Sequence, residues 1–274
     1  MPQTTLLKVI HPIHEDSKSL LPFVHALKIV LASGGELEII DIRDKNKNFE
    51  DVGVRKILEK WKVLPEGSQR SDVDKIGIKV TKIVKRGGGK TDIIKRIEHD
   101  VHDFLVIGIE NKKEFPHFFG HDLGEYIAQN YFRQTTLYVP AKGRPFIDPI
   151  DGRVVLKTVV IPVAESPSPQ NSIDVLHRLL KIFPDARPKV IGIHAGTAFP
   201  YISPSLLDGL DWCEQLSDKP VVSAIQAAAT ENRADLVIMA TNGRDSFSQR
   251  LIGSNTEKVL KTVTCPILTV PVIK

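Results

Sequence analysis

Thr241-Asn242-Gly243 and, nine intervening residues later, Gly253-Ser254-Asn255-Thr256-Glu257 are the residues whose types and spacing suit chemistry. Glycines let the backbone turn sharply and come close to a ligand. Ser254 and Glu257 have the S-x-x-E spacing of a capping box, which opens a helix. The preceding run Asp235-Leu236-Val237-Ile238-Met239-Ala240 reads as a buried parallel strand. A strand, a glycine loop and a helix amino end together gather unpaired N–H groups and the positive end of a helix dipole, which is a means of holding phosphate. The same residues also serve as plain turn and helix cap, and a capping box stabilises a helix with or without a ligand.

The elements that must position this loop alternate along the chain. Strands are expected at Leu6 to Ile10, Leu37 to Ile42, Gly77 to Val84, Phe104 to Ile109 and Thr135 to Val139. Helices are expected from Ser17 to Ala32, around Val52 to Trp61, and from Thr91 to His99. Such alternation implies a parallel sheet covered on both faces through right-handed crossovers. The pattern then restarts: Leu156-Lys157-Thr158-Val159-Val160-Ile161-Pro162-Val163 echoes Leu6-Leu7-Lys8-Val9-Ile10-His11-Pro12-Ile13, about 150 residues earlier. That period is too long for a solenoid and suits a duplicated domain. In the second copy a helix is expected over Gln170 to Phe183, a strand over Lys189 to His194, a loop over 196–210 and a short edge strand over Asp211 to Leu216. A helix opened by Ser217-Asp218-Lys219-Pro220 follows, with a last strand at Ile267 to Val272. The expected division is 1–140, a proline- and glycine-rich linker at 141–153, and 154–274.

This combination resembles the carboxyl-terminal signature of the universal stress protein family, G-x2-G-x9-G-[S/T] followed by a C-P-hydrophobic strand. Gly243, Gly253, Ser254 and Cys265-Pro266-Ile267 fit that pattern, while Ala240 stands where its first glycine is expected. The resemblance implies an α/β fold of two doubly wound five-stranded parallel-sheet domains, adenine nucleotide alpha hydrolase-like, in a tandem pseudo-dimer. It further implies an adenine nucleotide such as ATP or AMP at Pro162, Val163, Ala164, Ala195, Met239, Ala240, Asn242, Gly243, Gly253, Ser254 and Asn255, and a stress or regulatory role. Nucleotide-binding relatives carry an aspartate where this chain has His14 in the first copy and Ala164 in the second. In the first copy Asn111, His121 and Asp122 replace the glycines and serine of the loop, and a carboxylate at that helix start would repel phosphate. The alternative is an interaction scaffold that binds no nucleotide. The resemblance also implies that the two fifth strands pair with each other; a homodimer of the whole chain is a further expectation.

The other candidate chemistry is thinner. Arg86-Gly87-Gly88-Gly89-Lys90-Thr91 suggests a phosphate loop, but Val84 stands where the Walker pattern needs its first glycine. His11, His14, His117, His121 and Asp122 converge on one edge of a doubly wound sheet, a set suited to zinc, with His14 and His121 the central pair. There is no G-x-S-x-G elbow, Cys213 and Cys265 have no partner base, and His194 at a strand end reads as packed or hydrogen-bonded. Slow ATP hydrolysis is therefore the most enzymatic activity expected. Of 274 residues, 42% are hydrophobic and 26% charged, the composition of a globular protein. The net charge of +4 is scattered, which does not point to nucleic acid. Two cysteines imply no disulfide framework, no signal peptide leads the chain, and no apolar run reaches the roughly 18 residues of a membrane span. The expected compartment is the cytoplasm.

Overall fold

The computed structural model describes residues 6–14, 19–43, 53–86, 90–109, 123–130, 133–242 and 255–272. The first half runs β1 (Lys8–His14), α1 (Leu21–Ser33), β2 (Glu36–Arg43), α2 (Val54–Lys60), α3 (Arg70–Lys75), β3 (Lys79–Arg86), α4 (Lys90–His99), β4 (Phe104–Ile109), α5 (Leu123–Asn130) and β5 (Thr136–Pro140). The second runs β6 (Thr158–Pro162), α6 (Gln170–Ile182), β7 (Lys189–Ala195), a 3-10 turn at Pro204–Leu206, β8 (Asp211–Ser217), α7 (Val221–Glu231), β9 (Leu236–Asn242), α8 (Asn255–Thr262) and β10 (Ile267–Val272).

All ten strands form one sheet in the order β3-β2-β1-β4-β5-β10-β9-β6-β7-β8. Within each half the pairing is parallel. At the centre, β5 and β10 pair antiparallel through Tyr138–Ile267, Leu137–Leu268 and Thr136–Thr269, so the two fifth strands cover each other as expected. That pairing removes two sheet edges. It also points the carboxyl edges of the two halves in opposite directions. The remaining edges are β3, which carries Lys79, Lys82, Lys85 and Arg86, and β8. Lysines on an edge strand discourage further pairing.

Helices cover both faces, and each apolar layer is continuous across the two halves. On one face Phe23, Val24 and Leu27 of α1 meet Ile173, Leu176 and Leu179 of α6. On the other, Ile93 and Ile97 of α4 and Ile127 of α5 share a layer with Ile225 of α7 and Val259 of α8. A parallel sheet needs this double cover, which explains the unbroken apolar runs of β4 and β9.

Several local details depart from the expected pattern for identifiable reasons. α1 starts at Leu21, later than Ser17, with Pro22 in the first turn where its missing N–H costs nothing and the Ser19 hydroxyl accepting from the Leu21 N–H. It ends at Gly34, whose φ of 65° suits a left-handed cap. The polar stretch after β2 holds a second short helix, α3, closed by a capping box in which the Gln69 N–H donates to the Asp72 carboxylate at 2.7 Å.

The linker is a core element. Phe146 and Ile147 are fully buried, and Ile147 bridges Val154 to make a small hairpin. Phe146 meets the ring of His25 on α1 edge-on at 4.6 Å. Gly152, at a φ of 73°, lets the hairpin lie against Trp61, where an added Cβ would fall 2.6 Å from the indole.

The duplication also shows in how each first strand is anchored. Asp103, just before β4, accepts the N–H of Lys8 at 2.8 Å. Asp235, just before β9, accepts those of Lys157 and Thr158 at 2.7 and 3.0 Å. Arg178 of α6 donates to Asp103 at 2.7 Å and so ties the second half to the first.

Candidate functional site

In each half the chain leaves the first strand toward one side of the sheet and the fourth toward the other, so the ligand edge is the carboxyl end between β1 and β4 or between β6 and β9. The ladders there are short. β6 registers with β9 only at Val159–Leu236 and Val160–Val237, and β1 with β4 only at Val9–Phe104 and Ile10–Leu105. Beyond those pairs the two strands are no longer registered with each other toward their carboxyl ends.

The halves treat that divergence differently. His11 lies in the first split, buried, with Nδ1 donating to the Val106 carbonyl of β4 at 2.8 Å and its ring 5.9 Å from Phe23 of α1. The bond to a carbonyl fixes the proton on Nδ1. Burial pushes the pKa of His11 down to about 4, the carbonyl bond opposing this in part, so the ring is neutral at pH 7. In the second half Ile161 takes the equivalent place and offers no polar atom. The continuation of β6 stays beside β7, where the Val163 N–H donates to the Ile193 carbonyl and His194 Nδ1 donates to the Val163 carbonyl, both at 2.8 Å, as β1 stays beside β2. This fixes Val163 and Ala164 on the β7 side and leaves the cleft toward β9 unbridged among the described residues.

The expected nucleotide residues fall on this edge. Pro162 ends β6, Ala195 ends β7, and Met239, Ala240 and Asn242 occupy the last turn of chain in β9. Met239 and Val163 are buried, Ala164, Ala195 and Ala240 are half-buried, and Asn242 is exposed. Asn255 is the exposed first residue of α8. Ala164, Ala195 and Ala240 each bring only a methyl group to this edge. No carboxylate stands at Ala164 to receive a ribose or base. Glu257 sits in the first turn of α8 and accepts from Lys261 at 2.6 Å. Gly243, Gly253 and Ser254 lie outside the described residues.

His14 closes β1, while its side chain, like His117, His121 and Asp122, lies outside the described residues. His11 faces α1 with Nδ1 donating to the Val106 carbonyl. Among the described residues no group of three or more histidine, cysteine or acidic side chains is assembled for a metal. The glycine run 87–89 also lies outside the described residues; its flanking strand β3 is an edge strand, two strands away from the switch point. His194 is held by its carbonyl bond, as expected. Cys213 is exposed on β8 and Cys265 is buried before β10, both as free thiols. Sequence reading missed the contrast between His11 and Ile161, although their alignment in the repeat was the available signal.

Among the described residues no helix is long and apolar enough to cross a membrane. Residues 208–271 match the model of the universal stress protein family. Over 96% of this chain the fold is similar to that of a universal stress protein from Archaeoglobus fulgidus DSM 4304, with a TM-score of 0.65, 16% identity and 96% of that chain covered. A functionally unknown protein from Pseudomonas aeruginosa PAO1 is similar over 98% of this chain and 94% of its own, with a TM-score of 0.61 and 13% identity. Comparison with curated protein sequences returns no match. The match to the universal stress protein family model thus covers residues 208–271, while the similarity of fold to a solved universal stress protein extends over nearly the whole chain.

Proposed function

We propose that the second half binds an adenine nucleotide at the carboxyl edge between β6 and β9, and that this binding serves a stress-related regulatory role. The observation that carries the reading is the open divergence of β6 and β9, lined by small residues and flanked by the amino end of α8. A helix amino end at a switch point favours a phosphate-bearing ligand. The base side lacks its usual carboxylate at Ala164. Losing one such hydrogen bond costs about 0.5–3 kcal/mol, or roughly twofold to more than a hundredfold in affinity. Binding is therefore weaker than with that carboxylate present, and among the described residues no side chain at this edge presents itself as a dedicated catalyst.

Calorimetry or equilibrium dialysis with ATP and AMP tests this. The intact chain should bind one nucleotide, and Gly253→Asp should abolish it by placing a carboxylate at the phosphate side. The absence of alanine-to-aspartate compensation at Ala164 favours one rival reading, a scaffold that binds no nucleotide. No heat and no retention at millimolar ATP would establish that rival.

A further inference from the structure

A cavity of about 710 Å³ lies at the seam between α1, the linker hairpin and the end of α6. It sits at the amino end of β6, the opposite end of that strand from the proposed nucleotide edge. Its inner wall is apolar, with Leu156, Ile182 and Phe183 buried and Ala32 beside them. Its polar groups are four cations, Lys28, Arg153, Lys157 and Arg187, against a single lining carboxylate, Asp185. Two of these cations have neighbours that offset them: Arg153 pairs with Asp148 at 3.7 Å, and Asp151 acts on Lys28, which stands 5.9 Å over the Trp61 ring. The carboxyl end of α6 offsets about half a charge more. Lys157 has no side-chain partner among the described residues, and Arg187 is held in place by donating to the Pro184 and Ala186 carbonyls. With Asp185 counted the seam keeps a small positive excess, and Lys157 and Arg187 are the lining cations for which no carboxylate partner is found among the described residues, next to an apolar wall.

We propose that this seam cavity binds a small organic anion with an apolar body, the anion lying against Lys157 and Arg187 and the body against Leu156 and Phe183. The volume falls within the 300–1,000 Å³ typical of small-molecule sites. Because α1 belongs to the first half and α6 to the second, such a ligand stabilises their contact. Binding N and not U raises stability by mass action.

Anilinonaphthalene sulfonate is a suitable probe, titrated by fluorescence into the intact chain. N-phenylnaphthylamine, the same aromatic body without the sulfonate, is the companion probe. Saturable one-to-one binding of the sulfonate is expected, weakened by added salt. Lys157→Glu with Arg187→Glu should weaken it by about tenfold, the effect of reversing two partly exposed charges, and leave the uncharged probe unchanged. Lys157→Glu alone, at an exposed side chain, should give a smaller loss in the same direction and guards against misfolding at the Arg187 turn. Saturating ATP should leave the sulfonate affinity unaltered, because the nucleotide edge is elsewhere. Equal affinity in wild type and both variants, non-saturable binding, or displacement of the dye by ATP would each overturn the proposal. The comparison of wild type with the charge-reversed variants does not depend on whether the chain binds nucleotide.

Discussion

His25 offers a quantitative check on how the linker is held to the first half. Its ring is fully buried on α1, Nδ1 donates to the Leu21 carbonyl one turn back at 2.7 Å, Nε2 has no partner among the described residues, and Phe146 of the linker packs edge-on at 4.6 Å. Burial lowers its pKa from 6.5 to about 4, and the Leu21 bond opposes this only in part. Between these values the unfolded chain binds a proton and the folded chain does not, so stability rises with pH across that window and is lost as pH falls toward 4. With 1.36 kcal/mol per pKa unit, the loss between pH 7.5 and 4.5 is about 2–3 kcal/mol from this one residue. His11 has the same shift and contributes a similar loss. Replacing His25 by leucine removes the titrating group while keeping an apolar side chain against Phe146. Urea unfolding at pH 7.5 and 4.5 should show wild type losing at least about 2 kcal/mol more than His25→Leu over that interval. If the two proteins lose stability in parallel, the ring is already protonated in the fold or exposed to water, and the account of the linker packing on a neutral imidazole is wrong.

Further outcomes follow from the same contacts. Gly152→Ala should cost about 1–3 kcal/mol by strain at positive φ and collision with Trp61; Gly209→Ala, at a φ of 76° with open space around it, should cost less, and denaturant midpoints separate the two. Asp235→Ala should lower stability by about 2–4 kcal/mol, since the N–H groups of Lys157 and Thr158 lose a buried acceptor, whereas Asp103→Ala, with one such backbone donor and a more exposed carboxylate, should lose less. Thiol titration should find one fast group in the native protein, the exposed Cys213, and a second only on unfolding, because burial pushes the Cys265 thiol up to about 12; two fast thiols would refute the burial of Cys265.

What was legible in the sequence was what periodicity and buried runs encode. β4 matches its expected bounds because Phe104–Ile109 is apolar without interruption and polar residues flank it. α6 was legible because its buried positions, Ile173, Leu176 and Leu179, recur at helical spacing. α3 was not, because it is six residues long, buries only Val73 and opens with a glutamine, outside the usual Ser, Thr, Asp or Asn cap signal. The linker misled in another way. Its prolines and glycines mark turns correctly, yet Phe146 and Ile147 fill the layer between α1 and α6, so turn composition coexists with core packing. At the candidate site the residues at the strand ends were legible from the repeat, but the splay of β6 from β9 is a property of ladder register that no single residue encodes.

Register also explains why a duplicated chain need not have duplicated sites. Both halves open at the same switch point after two registered pairs. At the first diverging position one copy has histidine and the other isoleucine. The imidazole reaches across to the Val106 carbonyl, satisfies a group that the divergence would otherwise leave without a ladder partner, and ties β1 to β4. Isoleucine has nothing to donate, so among the described residues its side chain makes no such tie to β9; each first strand runs on beside its second, β1 registering with β2 as far as His14–Ile42 and Val163 donating to Ile193 of β7. At equal ladder register, the imidazole thus adds a cross-strand hydrogen bond in one copy that the isoleucine of the other cannot make. The antiparallel pairing of β5 with β10 then sets the carboxyl edges of the two halves on opposite sides of one sheet, while the apolar layers run on across the seam and join the halves into one core.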